Sequence, residues 1–280
     1  MGELVLTLSC PDRPGIVHAV SGFLAERECN ILDSQQYGSP RTSTFFMRVH
    51  VEAPVGSSSL RTDFGDVAQR FAMTWELHES DDRPNVVVMV SREGHCLADL
   101  LYRWRSGYLP CNLAAVVSNH RDLEPLTAPY GVPFHHLPVS ADNRAEQERQ
   151  VLELVETTGT ELVVLARYMQ ILTAEFCAAL PGRIINIHHS FLPSFRGGRP
   201  YEQAYERGVK LIGATAHYVT AGLDEGPIIE QEIARVGHQQ DPAALAATGR
   251  DLECVALARA VRWHLEHRVL LDGARTVVFS

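Results

Sequence analysis

The sequence lacks the features of several protein classes. No hydrophobic run approaches the length of a membrane span, and the six cysteines are dispersed without CxxC spacing. A single lysine, Lys210, stands among 25 basic residues, and the formal net charge of −9 is unfavourable for a general nucleic-acid-binding protein. The N-terminus shows no signal-peptide pattern and leads directly into a strand-like segment. We therefore expect a soluble, reduced, cytoplasmic protein that binds neither membrane nor nucleic acid.

The chain is long enough for two domains, since it has 280 residues of which 45% are hydrophobic. Residues 1–80 predict a small βαββαβ unit of the ferredoxin-like type. The turn Pro11-Asp12-Arg13-Pro14-Gly15 places proline and glycine where a helix opens. Expected strands cover residues 4–8, 30–37, 43–52 and 74–78, and expected helices begin at Ile16 and near Leu60.

Residues 85–280 predict an α/β domain with a Rossmann-like, mostly parallel sheet, because strand-like and helix-like segments alternate. The run Asn85 to Val90 is almost unbroken β-branched sequence, which is typical of a strand buried on both faces. Ligands of such sheets bind beyond the carboxyl ends of the strands. Expected strands are 85–90, 113–117, 134–137, 162–166, 184–187 and 276–279, and expected helices are 95–105, 144–157, 173–180 and 242–267.

An amide, an imidazole and a carboxylate occur together within residues 183–231. Asn186 and His188 end a short apolar run, and alternate residues of an extended segment project to the same face. Asp224 lies in a glycine-rich turn that follows another apolar run. Asparagine and protonated histidine stabilise a developing oxyanion, and aspartate supports the charge on histidine and transfers protons. The set predicts chemistry on a formyl or acyl group without a metal.

The sequence around these residues closely resembles the folate-dependent formyl-transfer family, which includes glycinamide ribonucleotide and methionyl-tRNA formyltransferases. The matching motifs are Asn186-Ile187-His188, Ser190-Phe191-Leu192-Pro193, Gly213-Ala214-Thr215-Ala216-His217 and Asp224-Glu225-Gly226-Pro227-Ile228-Ile229. Residues 1–80 resemble an ACT domain, and the combination resembles the formyltetrahydrofolate deformylases over essentially the whole chain. This resemblance implies hydrolysis of 10-formyltetrahydrofolate to tetrahydrofolate and formate, with the folate as substrate and no cofactor.

The resemblance also implies roles for individual residues. His188 would stabilise the tetrahedral oxyanion, Asn186 would hydrogen-bond the formyl oxygen, and Asp224 would relay protons between water and N10 of the folate. The pterin ring would bind to the backbone that follows the strand 162–166, and a second wall would come from residues 219–226. His217 would orient Asp224. The expected substrate-binding residues are Tyr168, Met169, Gln170, Leu172, His217, Val219 and Gly226.

ACT domains commonly bind amino acids at the first strand–helix turn and pair across subunits. The resemblance therefore implies a homo-oligomer and a small amino-acid effector near Asp12, Gly15 and Asn30. The alternative is a module that serves only for assembly, in which Gly15 is present because the turn needs a residue without a Cβ. The sequence favours neither of the two.

Other functions are less consistent with the residues. Formyl transfer to a ribonucleotide requires a phosphate-binding loop, and residues 91–97 keep one glycine, Gly94, beside an acidic Glu93. The resemblance also places Gln170 at a position where glycinamide ribonucleotide formyltransferase has a positively charged residue. An acidic chain without a basic C-terminal domain is poorly suited to tRNA. A silent amino-acid sensor would not need the complete set of Asn186, His188 and Asp224.

Two further points concern the same region. A metal site built from His188, His189, His217 and Asp224 is unfavourable, because adjacent residues of an extended segment face opposite ways and no HExxH pattern is present. The deformylase pattern leads us to expect histidine where this chain has Glu202, and Glu202 is expected to pair with Arg199 or Arg207.

Overall fold

The computed structural model describes residues 2–54, 56–192 and 200–280. It separates into two compact units, the first formed by Met1–Asp82 with Glu266–Ser280 and the second by Arg83–Leu265. Among the described residues, no helix has the length and apolarity needed to cross a bilayer.

The first unit contains a four-stranded antiparallel sheet in the order β2-β3-β1-β4. Leu4, Leu6 and Leu8 alternate along β1 into a core shared with Val20 and Phe23 of α1, as the period-two and helical patterns require. The βαββαβ prediction is confirmed. Its elements are β1 (Gly2–Pro11), α1 (Ile16–Ala25), β2 (Asn30–Ser39), β3 (Thr44–Ala53), α2 (Ser57–Phe71) and β4 (Thr74–Glu79).

The second unit contains a seven-stranded sheet in the order β11-β10-β9-β8-β5-β6-β7. Pairing is parallel from β9 to β7, which confirms the mostly parallel α/β prediction. The elements are β5 (Asn85–Val90), α3 (His95–Arg105), β6 (Asn112–Ser118), α4 (Glu124–Thr127), β7 (Phe134–His136), α5 (Arg144–Thr157), β8 (Thr160–Leu165), α6 (Ala174–Ala179), β9 (Ile184–His188), α7 (Pro200–Glu206), β10 (Leu211–Tyr218), β11 (Ile228–Arg235) and α8 (Pro242–Leu265).

Two strands of this sheet are additions to the predicted pattern. β10 runs antiparallel to both β9 and β11, and its register places His217 directly opposite Asn186. Directly opposed side chains of an antiparallel pair project to the same face. The antiparallel β10 therefore brings His217 to the same face as Asn186, next to the carboxyl end of β9.

The C-terminal segment groups differently from the prediction, which extended the second domain to residue 280. Residues 266–280 belong to the first unit and form the antiparallel hairpin of β12 (Val269–Asp272) and β13 (Arg275–Val278). The physical cause is a set of polar contacts within that unit. The Asp272 carboxylate accepts hydrogen bonds from Ser39 at 2.9 Å and Thr42 at 2.8 Å, and the Glu266 carbonyl accepts one from the Arg48 guanidinium at 3.1 Å.

Candidate active site

Strand β9 delivers two polar side chains to the carboxyl edge of the parallel part of the sheet. Ile184, Ile185 and Ile187 bury the strand in the core, while Asn186 and His188 both border one cavity. This arrangement agrees with the alternation expected for an extended segment. The side chain of His188 is only 7% exposed, so its ring works in an environment with little water.

Asp224 reaches His188 from the loop between β10 and β11. Its backbone has φ of +54°, a left-handed conformation that aspartate tolerates better than most residues. Its Oδ2 lies 3.2 Å from Nδ1 of His188 and its Oδ1 lies 3.7 Å from Nε2 of His217. The hydrogen bond from His188 is the largest cause that holds the pKa of Asp224 well below its usual range, against the effect of burial. Asp224 is therefore ionised at neutral pH.

His217 connects the amide to the carboxylate. Its Nδ1 lies 2.9 Å from the carbonyl oxygen of Tyr218, and because a carbonyl only accepts, Nδ1 carries the proton. In the neutral ring, Nε2 is then an acceptor for the Asn186 amide, whose Nδ2 lies 3.2 Å away. One N–H of Asn186 is thereby used by His217, and the amide is fixed in a single orientation.

The cavity next to these side chains has a volume of about 250 Å³. Its walls come from the segment after β8 and from residues 219–224. Met169, Ile171 and Leu223 are more than half exposed at this cavity, which gives it an apolar rim. Of the residues expected to bind the substrate, the cavity is lined by Tyr168, Met169, Gln170, Leu172, His217 and Val219.

Two of the expected substrate-binding residues, Gly226 and Tyr168, have contacts that serve the fold. Gly226 does not line the cavity, and a Cβ on it would come within 1.7 Å of the Tyr218 carbonyl oxygen. Its role is to let the loop that carries Asp224 lie against β10. The Tyr168 side chain is buried, and its hydroxyl accepts a hydrogen bond from Gln147. Burial raises the pKa of Tyr168 to about 12, so the hydroxyl stays neutral.

Known proteins share this arrangement of units. The Formyl transferase family model matches residues 84–261, and the ACT domain model matches residues 4–67. A formyltetrahydrofolate deformylase of Corynebacterium sp. (strain P-1) is 52% identical over 98% of this chain and 97% of its own length. The chain belongs to the formyltetrahydrofolate deformylase family. The resemblance drawn from the sequence motifs is thus confirmed.

Solved structures separate this family from the transferases. A crystal structure of formyltetrahydrofolate deformylase from Burkholderia mallei ATCC 23344 is 51% identical, covers both chains completely and superposes with a TM-score of 0.96. Glycinamide ribonucleotide transformylase 1 from Symbiobacterium toebii is 32% identical, with a TM-score of 0.68. The match covers 98% of the transformylase chain but only 73% of this one. The likeness to the deformylase therefore extends over the whole chain, whereas the likeness to the transformylase covers only part of it.

A second polar cluster lies beside the cavity that Asn186, His188 and Asp224 border, and sequence reasoning did not find it. The Glu253 carboxylate, 1% exposed on α8, lies 2.7 Å from Nε2 of His95, 2.8 Å from the Tyr201 hydroxyl and 3.5 Å from Nε of Arg167. A Cβ on Gly249 would come within 2.0 Å of the Tyr201 hydroxyl, so glycine makes room for this side chain. The available signal was one acidic residue within an apolar stretch of a helix, Leu252 to Ala256.

His95, Cys96 and Glu253 present ligand atoms within 4.8 Å of one another, which is a spacing that a metal ion accepts. Their surroundings favour an ion-pair network instead. The Glu253 carboxylate already contacts His95, Tyr201 and Arg167. Hydrogen bonds from His95 and Tyr201, together with the charge of Arg167, hold the pKa of Glu253 below its usual range despite burial. The guanidinium supplies the positive charge that a cation would supply. The expectation of a metal-independent site stays a prediction.

The three residues expected to bind an effector in the first unit do not form one site. Gly15 has φ of +95° and lines a groove of about 570 Å³ between α1 and α2. Asp12 lies near Gly38, since a Cβ on Gly38 would be 3.0 Å from its carboxylate. Asn30 begins β2, and Gly38 lies eight positions further along the same strand, a distance of roughly 26 Å. One small ligand therefore does not contact both Asp12 and Asn30 within one copy of this unit.

Some expectations concern residues near the end of β9. Glu202 lies in the first turn of α7, has an exposed side chain and does not line the cavity. The proposed pairing of Glu202 with Arg199 lies outside the described residues, as do Pro193 of the Ser190–Pro193 motif and the segment Gly197-Gly198-Arg199.

Proposed function

We propose that this chain hydrolyses 10-formyltetrahydrofolate. Water adds to the formyl carbon, the bond from that carbon to N10 breaks, N10 takes a proton, and tetrahydrofolate, formate and one proton result. The observation that carries this proposal is the contact of ionised Asp224 with His188 and His217, next to the fixed amide of Asn186 and at the edge of an apolar cavity. Family membership supports the same reaction.

The contact between Asp224 and His188 sets the direction in which the histidine acts. An ionised carboxylate only accepts hydrogen bonds, so His188 donates its Nδ1–H to Asp224. Nε2 is then the ring nitrogen left for the substrate. Nε2 is buried and has no hydrogen-bond partner among the described residues. In the protonated ring, Nε2–H donates to the oxyanion that forms as water adds. The second N–H of Asn186 is the other donor for this oxygen.

The surroundings of α3 favour water over a phosphorylated acceptor. An anion-binding site at a helix N-terminus needs backbone N–H groups free of other negative charge. Here the buried Glu253 carboxylate contacts His95, the first residue of α3, and lies within 4.8 Å of the Cys96 sulfur. The hydroxyl of Ser91 is also engaged, since it donates to Asn119 at 2.7 Å and accepts from the Met169 amide at 3.0 Å. A phosphate here would meet a buried negative charge.

We expect formate release from 10-formyltetrahydrofolate to run at its full rate without any acceptor. Purified protein is incubated with the folate alone and then with added glycinamide ribonucleotide, and formate and formylated nucleotide are quantified by mass spectrometry. The rate should not change, and no formylglycinamide ribonucleotide should appear. Formylated nucleotide at a rate that rivals formate release would make the chain a transferase. Absence of both products would favour the amino-acid sensor.

For the first unit we propose a small amino-acid effector and assembly of like chains. The groove between α1 and α2 has side chains of both charges, Arg13 and Arg70 with Asp63 and Asp66, which suits the ammonium and carboxylate of an amino acid. Strand β2 forms one edge of the sheet and exposes Ile31, Leu32 and Tyr37 by 38–47%. An exposed apolar edge strand pairs readily with another chain. The expected cytoplasmic location stays a prediction.

Leu32→Glu should weaken this assembly, because it places a charge on the exposed edge where β2 would meet its copy. We expect a shift to smaller species in size-exclusion chromatography with light scattering, at unchanged helix and strand content. Tyr102→Glu is the matched control, since Tyr102 is 68% exposed on α3, in the second unit. An oligomer that persists in Leu32→Glu would place the interface elsewhere, and a monomeric parent protein would contradict the proposal.

A further inference from the structure

Arg167 is a buried cation at the wall of the catalytic cavity. It follows β8, whose last residue, Leu165, pairs with Asn186 of the neighbouring strand β9. Its φ of +65° is a conformation that non-glycine residues seldom adopt, and such strain is common at functional positions. Its side chain is 14% exposed, and the residue lines the same cavity as His188 and Asp224.

The guanidinium of Arg167 keeps unused donors. Its Nε lies 3.5 Å from the Glu253 carboxylate, which is an ion pair without the geometry of a hydrogen bond. Both Nε and one terminal nitrogen are buried and have no hydrogen-bond partner in residues 2–54, 56–192 and 200–280. Nε2 of His188, which lines the same cavity, is also buried without a hydrogen-bond partner among these residues. Buried polar atoms in folded proteins are nearly always satisfied, so unpaired polar atoms on two side chains that line one cavity indicate a missing ligand.

The chemistry of the proposed reaction identifies that ligand. The formyl group enters as a neutral amide and leaves as formate, so the acyl fragment gains a negative charge only after N10 has departed. A guanidinium binds a carboxylate through parallel N–H bonds, and it favours the anionic product over the neutral amide. The neighbouring imidazole of His189 does not compete with this charge, because burial and then the nearby Arg167 lower its pKa to about 4.

We propose that Arg167, together with Nε2 of His188, forms a formate subsite that holds the product after the carbon–nitrogen bond breaks. This inference rests on the hydrolysis proposed above. Glu253 holds the guanidinium in place from the other side, and its negative charge keeps formate from binding too tightly to leave. By binding formate, Arg167 thereby holds the acyl product away from N10 of tetrahydrofolate.

The test measures formate directly, without turnover. The Kd of [13C]formate is determined by NMR line broadening at constant ionic strength, with tetrahydrofolate present, for the parent protein and for Arg167→Met. Loss of a charge-assisted, two-point contact should raise the Kd about 10- to 100-fold. Arg167→Lys, which keeps the charge but loses the planar fork, should lie between the two. Tetrahydrofolate affinity should stay within about threefold, because the pterin wall is intact.

Two further variants keep the test decisive. Arg167→Met leaves Glu253 without its cation, so the pair Arg167→Met/Glu253→Gln is measured alongside and should show the same weak formate binding. Arg121→Met is the matched control, since Arg121 is 67% exposed and does not line the cavity. Unchanged formate Kd in a folded Arg167 variant that binds tetrahydrofolate would overturn the subsite, as would a parent protein that does not bind formate. Formate binding without any hydrolysis would instead contradict the proposed reaction.

Discussion

Asp224→Asn should reduce turnover by about 10² to 10⁴, the range of general acid–base catalysis, while tetrahydrofolate affinity changes little. The two carboxylate oxygens of Asp224 face different histidines, at 3.2 Å from His188 and 3.7 Å from His217. Asparagine keeps an oxygen that accepts from Nδ1 of His188, but it cannot take up the proton that Asp224 transfers. It also removes the negative charge that lies against the ring of His188.

Single-turnover kinetics and calorimetric titration with tetrahydrofolate separate the two effects. Glu225→Gln is the matched control, because it makes the same change of charge one residue later in the same loop, on an exposed side chain that does not line the cavity. It should keep most of the activity. Near-normal turnover in Asp224→Asn would remove this carboxylate from proton transfer.

The parts of the site that depend on local pattern were predictable from the sequence. Alternation along β9 places Asn186 and His188 on one face, and the end of a parallel strand is where ligands bind. The motif around Asp224 indicated a catalytic carboxylate, and the loop brings it to His188. These inferences need only strand periodicity and a recognisable motif, so they do not depend on knowing which strands are neighbours.

The parts that depend on long-range pairing were missed. The hydrogen bond from Asn186 to His217 requires that β10 be antiparallel to β9 in one register, which no local pattern specifies. Glu253 lies on an otherwise apolar helix face, where its buried contacts with His95 and Tyr201 come from two distant segments. The charge of Arg167 was visible, but its place at the same cavity as His188 depends on the pairing of β8 with β9.

The C-terminal strand illustrates the same limit at the level of domains. The run of residues 275–278 has strand-forming composition, and the structure does form β13 there. Its partner is β12, however, and Asp272 of that hairpin is held by Ser39 and Thr42 of the first unit. Composition identifies the strand, whereas its grouping depends on side-chain contacts between segments more than 200 residues apart in the sequence.

His188→Ala should lower the rate of hydrolysis on the order of 10² to 10³, the loss measured for one oxyanion donor in other enzymes. The ring is buried and presents Nε2 at the cavity with Nδ1 on Asp224, so alanine removes the donor and leaves the carboxylate without its partner. His188→Gln, whose terminal amide reaches a similar position, should recover part of the rate, since it restores a neutral donor. Stopped-flow measurement of formate release, with circular dichroism to verify folding, compares the two variants. Equal rates for alanine and glutamine would show that His188 does not donate to the oxyanion. A rate in His188→Ala close to that of the parent would leave Asn186 as the sole donor.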